Sequence, residues 1–256
     1  MASPASDPRR LAAARERLAE RGVLVLVEDH LVLGIDKAAG VLSQPGPAGE
    51  VSLVELLGAY RQESEGKPGL GFVGLVHRLD RNVSGAMVVG KSSKAASRLS
   101  AAFRSREGVE KTYLAWVGGA PASDRARLES VLVRDVVRRV TRATPVEDAD
   151  DDDRVATLDY EVEARGPGVA RLRVLLHTGG THQIRAQLAR EGLPLIGDAK
   201  YGGAPAPRGV PLARPALHAR RLVVPHPSGV GPVTIESRVP DDLRALDRAV
   251  RSQEST

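Results

Sequence analysis

Apolar positions recur along the chain in two rhythms, one helical and one alternating or continuous. Leu11, Ala14 and Leu18 share one side of a predicted helix over Arg9–Arg21, which Gly22 stops. Val23–Val27 and Leu31–Ile35 are apolar runs split by Glu28-Asp29-His30, the pattern of a hairpin. Lys37–Gly49, rich in Gly, Pro and Ala, reads as loop. Ser52-Leu53-Val54-Glu55 has the spacing of a capping box, and Leu53, Leu56, Leu57 and Tyr60 then mark one helical face. Gln62–Gly71 is polar and carries Gly and Pro, so a loop is expected there. Phe72–Val76 and Ala86–Val89 read as buried strands, and Ser92 as the cap of a helix through Arg106 with Leu99 and Phe103 on one side. Further strands are expected over Thr112–Val117, around Leu132–Val140 and Val155–Val162, and over Val169–Leu176, Ala216–Val224 and Val233–Val239. Helices are expected over His182–Arg190, ended by Gly192 and Pro194, and over Asp241–Arg251. Strands come in groups with scattered helices and no regular βα period, which predicts an α+β fold with a mixed sheet. The chain then divides into a helical extension over 1–22, one domain over 23–240, and a helix and tail over 241–256.

Composition narrows the class. A chain of 256 residues with 42% hydrophobic and 27% charged residues has enough material for a real core. No apolar run approaches the roughly 18 residues a bilayer crossing needs. The charged, helix-like start lacks the apolar stretch of a signal peptide. Cysteine is absent, which excludes disulfides and thiolate metal sites and fits the cytoplasm. The formal charge is +5, although Glu147, Asp148 and Asp150 to Asp153 form an acidic run that is expected to be a solvated loop. Only six of the 37 basic residues are Lys. The planar guanidinium fork suits a nucleic-acid backbone, but an Arg excess serves solubility equally well, so charge alone leaves both readings open. Seven aromatic residues are too few for a fold that grips single strands by stacking many bases.

Most motifs fail on context. Gly69, Gly71 and Gly74 have dinucleotide-loop spacing, yet a strand is expected after them where a helix is needed. The six His residues form no ligand pair on a helix, and no catalytic metal is expected. Two segments stand out. In Val76-His77-Arg78-Leu79-Asp80-Arg81, an Asp sits between two Arg in a turn that follows an apolar run. In His177-Thr178-Gly179-Gly180-Thr181-His182-Gln183-Ile184-Arg185, a strand passes through two glycines into a helix, whose N–H groups suit an anion. Physically these are either a functional site or two capped turns with surface charges.

With its neighbours, this pair resembles a known family. H-R-L-D-R-x-x-S-G at His77–Gly85, Lys111-Thr112-Tyr113-Leu114-Ala115 and T-G-x-T-H-Q-I-R at Thr178–Arg185 resemble the RluA-type RNA pseudouridine synthases. So do Ile196-Gly197-Asp198-Ala199-Lys200-Tyr201-Gly202, Leu217-His218-Ala219 and His226-Pro227, and Lys37-Ala38-Ala39-Gly40 is similar to the family's K-P-x-G. The likeness runs over about residues 24 to 228. It implies a mostly antiparallel sheet flanked by helices, with 23–240 as a single catalytic domain. It further implies isomerisation of specific uridines in tRNA or rRNA, without cofactor or metal. Asp80 matches the essential aspartate, Arg185 the basic residue that pairs with it, and Tyr113 the tyrosine that packs on the target base. Arg78 matches the arginine that holds the nucleotide out of its stack. His77, Leu79, Thr181, His182 and Gln183 shape the substrate pocket. The implied partner is a structured RNA stem-loop, bound by a cytoplasmic monomer with no membrane and no nucleotide cofactor.

Departures from the pattern bear on substrate choice. Gly180 stands where many members have Arg, Asn82 and Val83 where Asp-Thr is common, and Ala38 where Pro is usual. The twenty-odd residues before the first strand are too few for the RNA-binding domain that many relatives carry, so substrate choice is expected to rest on the catalytic domain. Two rival readings are a non-catalytic RNA-binding protein of the same fold, separable by a pseudouridine assay, and a small-molecule hydrolase using Asp80, separable by RNA binding.

Overall fold

A computed structural model describes residues 8–46, 49–66, 68–148, 154–207 and 210–251. Among them are eleven strands and five α-helices, in two compact units: Met1–Val109 with Arg221–Ser237, and Glu110–Arg220 with Arg238–Thr256. Within each unit the paired strands run antiparallel, which gives the expected α+β class. Residues 149–153 of the acidic run lie outside the described residues, while Glu147 and Asp148 are exposed in a short 3-10 turn.

In the first unit α1 (Pro8–Glu20) buries Ala14 and Leu18 against α2 (Leu53–Glu65) and β1 (Val23–Glu28). β2 (Val32–Lys37) pairs with β1 on one side and with β4 (Ser84–Gly90) on the other, and β4 also takes the short β3 (Gly74–Leu75). Every residue of β4 is buried, as its small and apolar sequence requires. α2 starts on the expected capping box: the Ser52 hydroxyl accepts from the Glu55 N–H, and the Ser52 N–H donates to the Glu55 carboxylate at 2.8 Å. α3 (Ser93–Ser105) is capped by Ser92. One core joins Val32, Val88 and Leu99 to Leu222 and Ile235, from β10 (Leu217–Pro225) and β11 (Pro232–Glu236).

In the second unit strands pair in the order β5 (Glu110–Gly118), β9 (Val169–Leu176), β8 (Val155–Gly166), β6 (Arg125–Asp135), β7 (Val140–Thr144). Trp116, fully buried, packs with Leu114, Val169 and Ile196 against Leu243 and Leu246 of α5 (Asp241–Arg251). Asp247 fixes that helix, accepting from Trp116 Nε1 at 2.7 Å and Arg171 Nη1 at 2.8 Å. α4 (Gln183–Arg190) follows the Gly-Gly turn.

Three expectations are corrected. α2 continues through Gln62–Glu65, where a loop was expected, because Arg61 pairs with Glu65 one turn on and Gly66, in the left-handed region at φ 63°, provides the stop. Phe72–Val76 is not a buried strand: only Gly74–Leu75 pairs and Phe72 is exposed. The strand expected around Leu132–Val140 is a hairpin of two, with its turn at 136–139, where Asp135 accepts from the Arg138 N–H at 2.8 Å.

Candidate functional site

The first segment is a backbone turn held from below. Lys37 has no exposed surface, and its ammonium donates to the carbonyls of Ala38 (2.9 Å), Val41 (3.0 Å) and Arg81 (3.2 Å). One buried cation thus ties the loop after β2 to the residue that follows Asp80. The clamp is closed by Ser43 Oγ donating to the Leu79 carbonyl at 2.8 Å and the Gly40 N–H donating to the Arg81 carbonyl at 2.8 Å. Leu79 is buried. His77 takes the Val88 N–H on Nε2 at 3.0 Å, which places its proton on Nδ1, and its ring stacks on Phe103 at 4.7 Å. Within the turn the Val83 N–H donates to the Asp80 carbonyl at 3.0 Å, and Asp80 itself is partly exposed. Arg78 is exposed and reaches Gln44 at 3.4 Å, and Arg81 pairs with Glu50 at 2.8 Å.

The second segment is gripped by its side chains. Gln183, buried, uses both ends of its amide. Oε1 accepts from Thr178 Oγ1 (2.8 Å) and the Gly180 N–H (3.0 Å), while Nε2 donates to the Thr157 carbonyl (3.2 Å) and Gln187 Oε1 (3.0 Å). Gln187 passes the chain on to the carbonyls of Leu128 and Ala156. Lys111 Nζ donates to the Thr178 carbonyl at 2.6 Å. Ahead of the turn, His177 Nε2 lies 2.7 Å from Asp159, whose carboxylate also takes the Arg127 fork at 2.8 and 3.1 Å. That fork first, then His177, holds the Asp159 carboxyl down at about 2. A Cβ at Gly180 would lie 2.3 Å from Leu132 Cδ1, so a side chain there would require Leu132 to shift.

Arg185 is buried and forks onto Asp198, which is 1% exposed, with Nε–Oδ2 and Nη2–Oδ1 both at 2.7 Å. Its Cζ sits 4.8 Å from the centre of the Tyr201 ring. The Tyr201 hydroxyl accepts from the Thr141 N–H at 2.8 Å and lies 2.8 Å from His182 Nδ1. Burial raises the Tyr201 pKa above its usual value, so the group stays a protonated phenol. Gly197 is required by the turn that carries Asp198: its φ is +74° and a Cβ would meet the Arg214 carbonyl at 2.3 Å.

Of the residues expected at the site, His77, Arg78, Leu79 and Asp80 share the first segment. Thr181, His182, Gln183 and Arg185 share the second, with Tyr113 buried on β5 opposite Val174 of β9. His77, Leu79 and Gln183 are structural in what they touch. Lys37, Asp198 and Tyr201 had been noted only as parts of motifs. Their signal was chemical: a Lys with no acid beside it except Asp36, and an Asp and a Tyr three residues apart in a Gly-bounded turn.

A family model described as RNA pseudouridylate synthase matches residues 31–190. The chain is 36% identical over 241 residues to ribosomal large subunit pseudouridine synthase D of Xanthomonas campestris pv. campestris, covering 89% of this chain and 69% of that protein. It is 34% identical over 234 residues to the protein of the same name in Nitrosomonas europaea, covering 90% of this chain and 65% of that one. It thus spans about two thirds of the length of these relatives. In fold it is similar to human RNA pseudouridylate synthase domain containing 4, with a TM-score of 0.75 at 20% identity over 95% of this chain and 97% of that chain. Motif, family match and fold agree: this chain belongs to the RNA pseudouridylate synthase family, isomerases that act on RNA.

Proposed function

We propose that the chain converts specific uridines of a structured RNA to pseudouridine, with Asp80 as the catalytic carboxylate. Ribosomal RNA is the first candidate substrate, because the relatives above are named for the large ribosomal subunit; tRNA is the second. The observation that carries the reading is the Asp80 turn, whose backbone is clamped on both sides by Lys37, Ser43 and Gly40 and whose side chain is partly exposed. In the reaction the N1–C1′ bond of uridine breaks, the uracil rotates, and a C5–C1′ bond forms. C5 loses a proton and N1 gains one, so the atoms balance as an isomerisation without redox partner or water. An ionised carboxylate suits this because positive charge develops on the sugar, which Asp80 attacks or stabilises. Arg185 supplies the cationic partner that favours the ionised form. Tyr113 packs on the base, and Arg78 helps hold the flipped nucleotide, whose unstacking costs a few kcal/mol. Thr181 and His182 complete the substrate contacts, with His77, Leu79 and Gln183 shaping the segments that carry them. The protein acts on this reading as a cytoplasmic monomer over residues 23–240, with no cofactor. No helix among the described residues is long and apolar enough to cross a membrane.

Asp80→Asn tests it. Asn is nearly isosteric, so the turn survives, but it is neutral and a poor nucleophile. With unmodified large-subunit ribosomal RNA transcript and a chelator present, wild-type protein should form pseudouridine and the variant none, while RNA binding stays within about twofold. Conversion by the Asn protein near the wild-type rate would make Asp80 structural.

A further inference from the structure

Arg185 is held by two groups that the family reading does not use, and both come from one short turn. Asp198 takes the guanidinium edge-on through two bonds of 2.7 Å, and the guanidinium carbon lies over the ring of Tyr201, three residues later, 4.8 Å from its centre. An edge fork fixes the plane of the guanidinium but lets it slide or tilt about the carboxylate. A ring against the face removes that freedom. Tyr201 is itself pinned, by the Thr141 N–H of β7 and by His182, whose ring meets the tyrosine edge-on at 5.7 Å and 85°. The phenol hydroxyl thus accepts from Thr141 and lies within hydrogen-bond distance of His182 Nδ1. His182 occupies the left-handed region at φ 56°, a conformation costly for a non-glycine residue, immediately before the helix that carries Arg185. The hydrogen bond to Tyr201 helps to hold it there.

We propose that Asp198 and Tyr201 are positioning residues for the isomerisation, acting through Arg185: Asp198 sets the plane of its guanidinium and Tyr201 its height and tilt. The link from β7 through Tyr201 to His182 and Arg185 makes the geometry of the cation depend on a strand of the basic hairpin β6–β7, which exposes Arg134, Arg138, Arg139 and Arg142. The proposal rests on the reading of Arg185 as the catalytic cation.

The test is a mutant cycle in the full chain, read as single-turnover conversion of unmodified large-subunit ribosomal RNA transcript and, separately, as its binding. Tyr201→Phe keeps the ring and drops both hydrogen bonds, and should slow conversion about tenfold. Tyr201→Leu removes the ring as well, and Asp198→Asn spoils the fork; each should slow conversion about a hundredfold, the scale of a small misplacement of a catalytic group. RNA affinity should stay within about threefold in all of them. In an Arg185→Ala background, Tyr201→Leu should cost nothing further, because the residue through which it acts is gone. A loss that multiplies in that background, a loss of affinity alone, or a wild-type rate in Tyr201→Phe and Asp198→Asn would overturn the positioning role. Should Leu or Asn fail to fold, the near-isosteric Phe variant and its cycle with Arg185→Ala decide. Full activity of Arg185→Ala, or an inactive wild type, would instead overturn the reading of Arg185 and the proposal with it.

Discussion

The Asp80 turn and the Gly-Gly turn before Arg185 achieve rigidity by opposite means. Around Asp80 the backbone is gripped by a buried ammonium, which takes the carbonyls of Ala38, Val41 and Arg81. Around Arg185 the grip is mainly a neutral amide network, Thr178 to Gln183 to Gln187, and Arg185 itself carries a buried ion pair with Asp198. The difference follows from what each segment presents. At Asp80 the contacts given hold the backbone on either side of the carboxylate, through the Leu79 and Arg81 carbonyls. A guanidinium has five donors in a plane, so one edge can be spent on Asp198 without losing the charge. A buried ammonium is the harsher device, because its removal breaks three hydrogen bonds together.

That contrast is open to direct attack. Lys37→Met keeps length and apolar stem but withdraws a donor from three carbonyls, of which that of Arg81 keeps the Gly40 N–H, at a cost of about 1 kcal/mol or more for each bond lost. A loss of about 3 kcal/mol or more is expected, lowering Tm by roughly 6–12 °C for a chain of this size. Turnover at a temperature where the variant is folded should fall as well, because Arg81 is next to Asp80. Thermal unfolding beside a single-turnover assay checks both. A Tm within about 2 °C of wild type would break the comparison.

Gln183→Leu should be milder. It deprives the Thr178 hydroxyl and the Gly180 N–H of their acceptor and the Thr157 carbonyl of a donor, but these groups lie in a turn that water can partly re-solvate. About 2 kcal/mol is expected. A calorimetric scan that ranked Gln183→Leu below Lys37→Met in stability would invert the contrast.

Smaller again is the anchor ahead of the second turn. The Asp159 carboxyl sits at about 2, below its ordinary 3.8, chiefly through the Arg127 fork and then through His177. Folding therefore favours its ionised form. The resulting stability is fully present above about pH 4 and disappears as pH falls through about 2. Asp159→Asn should accordingly be less stable than wild type at pH 5 to 7, with the gap closing between about pH 4 and 2. The carboxylate is about one-third exposed, at 34%, so the gap should be smaller than that of Gln183→Leu. Parallel urea titrations across pH measure it, and a gap that widens on acidification contradicts the assigned ion pair.

Elements whose signal is local were legible from residues alone. The Ser52 box, β9 over Val169–Leu176 and α5 over Asp241–Arg251 fall where their patterns place them. β6 was half missed, because its first residues, Arg125-Ala-Arg-Leu-Glu, look like a polar loop until β8 and β9 supply Asp159, Glu161 and Arg173 across the sheet. Cross-strand charge pairing is invisible in one strand's sequence. The same holds at the site. Asp80, Tyr113 and Arg185 could be singled out by likeness, yet Lys37, Asp198 and Tyr201 acquire meaning only when partners 4 to 60 residues away arrive.

The acidic run gives the smallest expected effect, and it works as the control for both turns. Among the described residues of this stretch, Glu147 and Asp148 are exposed in a short 3-10 turn. Acids beside an RNA backbone would repel it, so a role in substrate contact is disfavoured on charge alone. At moderate salt, charges more than roughly 10 Å from the phosphates are largely screened. Replacing Asp150, Asp151, Asp152 and Asp153 together by Ser should leave Tm within about 1 °C and turnover within about twofold. At low salt the more basic variant should bind RNA slightly more tightly, an advantage that fades as salt rises and long-range attraction is screened. Conversion rates measured at two salt concentrations separate these outcomes. A large loss of turnover in a folded variant would mean that a third region sets the geometry of the site, and that the two anchored turns do not suffice.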